Sequence, residues 1–212
     1  MDVVPQSSLF LGIIPALILL YISLKDWHGH YKEKILFILF IVGIITGFLI
    51  AIIQLSIVYD ALVLFIMFPF FEQIVKALIL NLRKIKAKQA TVIYGLSLGL
   101  GFGSIYPPAS LILLADTDIP LFGMVSILLG SLGLVFLHGV TGTLIGYGIY
   151  KGKLLMFYGY SVILLIAANF LKLEYVQWLN LVIGIVMFYY VHKNILKKTV
   201  DSFDKKSLEA KE

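Results

Sequence analysis

Three ionisable side chains, Glu72, Lys76 and His138, lie in stretches of sequence that are otherwise almost wholly apolar. A charge at bilayer depth is costly unless it pairs or faces a polar cavity, so such residues mark functional sites. Glu72 and Lys76 are one helical turn apart on one face. By helical rise, Glu72 lies about 16 Å from Arg83, and His138 about 20 Å from Lys151. Two ionisable residues at matched depth on different helices are expected to face each other across a shared cavity. A glutamate and a histidine meeting there would suit general-base activation of water or coordination of a divalent metal such as zinc. Glu72 and His138 alone fall short of the three protein ligands that zinc normally takes. Plainer roles exist for the same groups. Lys76 can neutralise Glu72 within one helix and snorkel toward the nearer surface. A neutral His138 can be satisfied by a backbone carbonyl, Thr141 or Thr143.

The elements that must carry these residues follow from composition. The chain has 212 residues, 60% of them hydrophobic and 14% charged, and no cysteine. Its mean hydropathy is +1.00. Soluble domains average about 45–50% apolar and about 25% charged residues. The excess is too large for one globular core, so an integral membrane protein is expected, and disulfide or thiolate chemistry is excluded. Seven stretches approach the roughly 20 apolar residues of a spanning helix: 8–24, 35–57, 61–82, 90–115, 121–150, 154–171 and 175–192. No strand-like alternation interrupts them. The expected fold is an all-α, polytopic transmembrane bundle of about seven helices. It forms one domain over 1–192, with core helices at about 61–150. A charged cytoplasmic tail follows over 193–212.

Orientation follows from the lysines. With the N-terminus outside, the inward segments hold Lys25, Lys32, Lys34, Arg83, Lys84, Lys86, Lys88, Lys151, Lys153 and six tail lysines, while the outward segments hold only Lys172. That bias sets the N-terminus out and the C-terminus in, as a multi-pass protein of the cell membrane. The net charge of +5 is spread over these short clusters. The lipid bilayer is therefore the expected partner of the charged loops, and nucleic acid is not.

The fourth stretch carries Gly95, Gly99 and Gly103 at four-residue spacing, which lets a neighbouring backbone approach closely. Tyr106-Pro107-Pro108 should break or kink it, since two prolines remove two backbone donors. The fifth stretch continues the theme after His138 with Gly139, Gly142, Gly146 and Gly148. The third to fifth stretches thus form the working core. The others support it against lipid, with Gln54, Asn169, Gln177 and Asn180 as their amides.

Three motifs in these core stretches resemble the PrsW family of intramembrane proteases, which is related to the CAAX prenyl protease superfamily. Pro69-Phe70-Phe71-Glu72-Gln73-Ile74-Val75-Lys76 is similar to its Glu-Glu-x-x-Lys motif. Gly99-Leu100-Gly101-Phe102-Gly103-Ser104-Ile105-Tyr106 is similar to its glycine-rich run into Phe-x-x-x-Glu. Leu137-His138-Gly139-Val140-Thr141-Gly142 is similar to its histidine motif. The resemblance covers residues 65–150. It implies hydrolysis of peptide bonds in a membrane-anchored protein substrate. Glu72 would be the general base, and His138 would stabilise the oxyanion or help hold water or a metal. Lys76, Gln73, Tyr106, Phe102 and Thr141 would support them. Gln73 stands where the family has a second glutamate, and Tyr106 where it has an acid. By rise, Tyr106 lies about 27 Å above Lys88, nearer the outside than Glu72.

The expected function is therefore an intramembrane protease of PrsW type. A non-catalytic homologue that binds or regulates a membrane-protein client is the alternative. A proton- or ion-coupled transporter using Glu72, Lys76 and His138 as a relay is the third. The absence of cysteine makes the topology directly testable. A single cysteine at Lys84 or Lys151 should react with a membrane-impermeant thiol reagent only from the cytoplasmic side. Labelling of either from outside intact cells would overturn the orientation.

Overall fold

A computed structural model describes residues 6–25, 27–56, 63–86, 89–114, 118–171 and 176–202. Among these every regular element is helical. The α-helices are α1 (Phe10–Leu24), α2 (Glu33–Ser56), α3 (Phe68–Leu80), α4 (Thr91–Gly103), α5 (Tyr106–Leu114), α6 (Leu121–Tyr150), α7 (Leu154–Phe170) and α8 (Leu179–Val191). A short 3-10 turn precedes α1, and π turns precede α3 (Val63–Met67) and follow α8 (His192–Lys197). Each of the seven apolar stretches is mostly helical across its described residues. Among the described residues three helices, Glu33–Gln54, Leu121–Tyr150 and Leu179–Ser202, are long and apolar enough to cross a membrane.

The fourth stretch is two helices rather than one bent helix. α4 stops at Gly103 and the chain restarts at Tyr106. The prolines are not the point of breakage. They sit in the first turn of α5, where backbone donors have no intrahelical acceptor and a fixed φ suits the helix. The break falls just before them, at Ser104, whose hydroxyl donates back to the Gly101 carbonyl at 2.7 Å. At the far end of α6, Gly152 takes a left-handed φ of 68°. The Lys153 amide then returns to the Gly148 carbonyl at 2.8 Å, a Schellman stop.

α4 is the centre of the bundle. Every residue from Thr91 to Gly103 is buried, and a helix apolar all round belongs inside. α1 and α2 cover one side of α4 and α6 the other. α6 in turn carries α3, α7 and α8. The outer faces of α1, α2, α7 and α8 expose large apolar side chains such as Tyr21, Phe37, Leu155 and Tyr189. An exterior of that kind exceeds the scattered apolar exposure of a soluble monomer. The helical rod begun by α8 continues past residue 192 to Ser202, burying Leu196, Thr199 and Val200. The segment expected as a tail therefore starts as packed helix. Residues 203–212 lie outside the described residues.

Glycines let α4 and α6 touch backbone to backbone. A methyl group on Gly95 would overlap the Gly142 carbonyl, and one on Gly142 would overlap the Gly95 carbonyl. Gly99 faces the His138 carbonyl in the same way, and Gly146 the Thr91 carbonyl. The opposite face of α4 repeats the device, with Gly101 against Phe40 and with Gly43 of α2 against Leu98.

This seam gives a direct stability test. Gly142→Ala should destabilise the bundle by about 1–3 kcal/mol, the usual cost of overpacking. Gly159→Ala meets nothing within 4 Å and should be neutral or stabilise by about 0.5–1 kcal/mol, since alanine is the better helix former. Unfolding in detergent measures both. Equal behaviour of the two variants would dismiss the seam as a determinant of stability.

Candidate functional site

The polar residues singled out in the sequence converge from α3, α4, α5 and α6. The face of α3 that carries Phe68, Glu72, Gln73, Lys76 and Leu80 is buried, while Phe71, Ile74 and Leu78 on its other side are exposed. That amphipathic pattern turns Glu72, Gln73 and Lys76 into the bundle together. Gly99 and Gly103 make room for His138. A β-carbon on Gly103 would lie 3.0 Å from that of His138, and one on Gly99 would strike its carbonyl.

Lys76 is the hub. Its side chain is wholly buried and does not run outward to the surface. The ammonium lies 2.8 Å from His138 Nδ1, 3.0 Å from Thr141 Oγ1 and 3.5 Å from Gln73 Oε1. Three acceptors thus meet three ammonium hydrogens. Thr141 spends its own hydrogen on the His138 carbonyl at 3.2 Å, which leaves its oxygen to accept. The Phe102 ring lies 4.8 Å from the ammonium and adds a cation–π contact. With Lys76 as the ammonium, which can only donate, His138 Nδ1 is the acceptor and Nε2 carries the imidazole proton.

Glu72 lies on the other side of the same turn. One carboxylate oxygen accepts from Tyr106 Oη at 2.8 Å and from Gln54 Nε2 at 2.8 Å. Its charge acts on Lys76 across the turn. Tyr106 joins the two halves. Its hydroxyl holds Glu72 while its ring stacks on His138 at 4.9 Å and 14°. Phe102 also stacks on the imidazole, at 4.8 Å and 29°. All seven residues proposed from sequence, Glu72, Gln73, Lys76, Phe102, Tyr106, Thr141 and His138, therefore share one buried cluster.

Two features depart from the sequence reading. Tyr106 was placed well above Glu72 by helical rise, yet it touches the carboxylate. A straight-helix count fails because α4 ends at Gly103 and a separate helix starts at Tyr106. Gln54, read only as an amide of a supporting helix, belongs to the site. The available signal was its standing as the lone amide in the apolar run of α2.

A zinc ion does not suit this donor set. Among the described residues no group of three or more His, Asp or Glu is assembled. The Nδ1 lone pair of His138 already faces the Lys76 ammonium. One Gln73 donor is left over: its Nε2 is buried with no hydrogen-bond partner. The amide cannot be flipped to cure this, because Lys76 requires the oxygen on its side.

The buried charges should be interdependent. Lys76→Met leaves the carboxylate uncompensated and should cost about 3–5 kcal/mol. Glu72→Gln should also destabilise, because Lys76 is locked inward. The double variant Lys76→Met with Glu72→Gln should recover much of the loss. Additive losses in a double-mutant cycle would show that the two charges do not couple.

No family model matches the chain, and no curated protein and no solved structure matches it.

Proposed function

We propose that the chain is a multi-pass membrane protein with its N-terminus outside, and that the Glu72–Lys76–His138 cluster is the hydrolytic centre of an intramembrane peptidase similar to the PrsW family. The observation that carries this reading is the meeting of motif residues from separate helices in one buried, hydrogen-bonded group. A carboxylate, an ammonium and an imidazole together in an apolar surround are costly, which marks the group as a functional candidate. In this reading Glu72 takes a proton from water as the hydroxyl oxygen attacks the scissile carbonyl. The Nε2–H of His138 and the positive charge of Lys76 stabilise the oxyanion that forms. Glu72 then returns the proton to the leaving amine. Glu72 and Lys76 together carry no net charge, so the site is tolerable in an apolar surround.

An apolar cleft beside α6 adds a surface large enough for a few side chains of a substrate's membrane segment. It has a volume of about 680 Å³ and opens between α7 and α8, with Phe157 and Ile163 on one wall and Met187 and Tyr190 on the other. Its floor on α6 includes Leu144, one turn from Thr141.

One observation favours a non-catalytic membrane-protein binding module instead. The three hydrogens of Lys76 are all taken by protein acceptors, and Glu72 already accepts two hydrogen bonds. A site so satisfied also serves as a static polar clamp.

Cleavage of membrane-anchored substrates by the purified protein separates the two. Glu72→Gln and His138→Ala should each reduce cleavage by about 10²–10⁴-fold, the usual contribution of a positioned acid–base group. A chelator should have no effect. Folding is checked alongside, with Lys76→Met plus Glu72→Gln as the charge-balanced reference. Full cleavage by the Glu72→Gln protein would end the peptidase reading. Absence of cleavage by the wild type across a broad substrate panel would favour the binding module.

A further inference from the structure

A second polar cavity lies at the lysine-rich end of the bundle. It has a volume of about 520 Å³ and is walled by the turn before α2, the segment before α4 and the last turn of α6. Its lining includes Lys32 and Lys84, the phenols Tyr31, Tyr94 and Tyr150, and Gln89. No carboxylate lines it among the described residues. Glu33 acts on it from the side, through Tyr31.

His30 also lines the cavity, and Gln89 spends its amide hydrogens on the Thr199 carbonyl and the Ser202 hydroxyl, so the lysines and phenols are the donors that matter. Tyr94 is buried to 3% exposure, and its oxygen accepts the Lys32 backbone N–H at 2.9 Å. No acceptor takes its own hydrogen among the described residues, so that hydrogen is available to the cavity. Tyr31 is a neutral phenol and so a donor, and burial, then the Glu33 charge, raise its pKa further. Lys151 stacks on the Tyr150 ring with its ammonium 4.8 Å from the centroid, which brings a third cation against the wall. Ala90 and Tyr94 also place the start of α4 at the cavity, the end of a helix that carries partial positive charge. Lysines, phenol donors and a helix start without a lining carboxylate call for a ligand with several anionic oxygens. The volume lies in the usual range of small-molecule sites, about 300–1,000 Å³.

We propose that this cavity binds a phosphate-type oxyanion, carried either by an anionic phospholipid headgroup or by a soluble phosphate. Lys32 and Lys84 supply the charge, and Tyr94 the oriented hydrogen bond. A phosphate has the acceptor capacity to use all three at once. The site stands apart from the Glu72 cluster and is independent of whether that cluster hydrolyses peptides.

The full chain in a non-ionic detergent gives the test, with the thermal unfolding midpoint followed at fixed ionic strength. Three probes are titrated: dihexanoyl phosphatidylglycerol, dihexanoyl phosphatidylcholine and inorganic phosphate. Lys32→Gln with Lys84→Gln removes the site cations. Lys193→Gln with Lys197→Gln removes equal charge elsewhere. Phosphatidylglycerol should raise the wild-type midpoint more than phosphatidylcholine does. The site variant should lose affinity by about tenfold or more, the worth of one lost charge-assisted hydrogen bond, while the control pair keeps it. A matching rise with inorganic phosphate, lost in the site variant, would assign a soluble phosphate as the source. No rise with either anionic probe, or equal loss in both paired variants, would overturn the site.

Discussion

A lysine ammonium buried without access to solvent sets the terms for the rest of this bundle. Taking such a charge out of water costs several kcal/mol even after relaxation, and only good geometry recovers it. Lys76 finds an acceptor on its own helix in Gln73 and two on α6 in His138 and Thr141. Those contacts fix the register of α3 on α6, since a slip of one turn would strand the charge. Its countercharge, Glu72, extends the same constraint to α2 and α5 through Gln54 and Tyr106.

The glycine seam makes that arrangement reachable. α3 can meet His138 only if α6 lies hard against α4, because the Phe102 ring at the end of α4 forms part of the pocket wall. Gly95, Gly99, Gly142 and Gly146 remove the side chains that would hold these helices apart. Where there is no hydrophobic gain from leaving water, as between helices in lipid, close van der Waals contact is the main source of association. The seam and the polar cluster are therefore one design, with Gly99 and Gly103 belonging to both.

Gln73 and Tyr106 set the charge balance of the cluster. Glu72 is its one acid among the described residues, and one acid balances one lysine. Tyr106 returns a hydrogen bond where a carboxylate would have added a second negative charge. Gln73 accepts from Lys76 through its oxygen and leaves a buried N–H donor unspent. The cluster thus balances one acid against one lysine and is poorly suited to holding a divalent metal.

Composition alone determined the helical class, because a run of apolar residues this long has no stable alternative to internally bonded helices. The buried face of α3 was legible as well, since Glu72 and Lys76 at one-turn spacing share a face wherever the helix sits. So was the glycine seam, whose four-residue repeat is a local signal. Tertiary structure decided the rest. Tyr106 meets Glu72 at the point where α4 has ended and α5 begins, and counting residues along one continuous helix cannot supply that break. Lys76 turns inward to His138 rather than outward because acceptors on α6 lie within reach, a fact of helix packing absent from the sequence of α3. Gln54 joins the site because α2 lies beside α3 at that level. Burial of Leu196 and Val200 beyond α8 likewise depends on a surface supplied by other helices. Short-range periodicity names the groups that share a helix face. Which faces meet is set by packing between residues far apart in the chain, and that is where the acceptors for the buried charge come from.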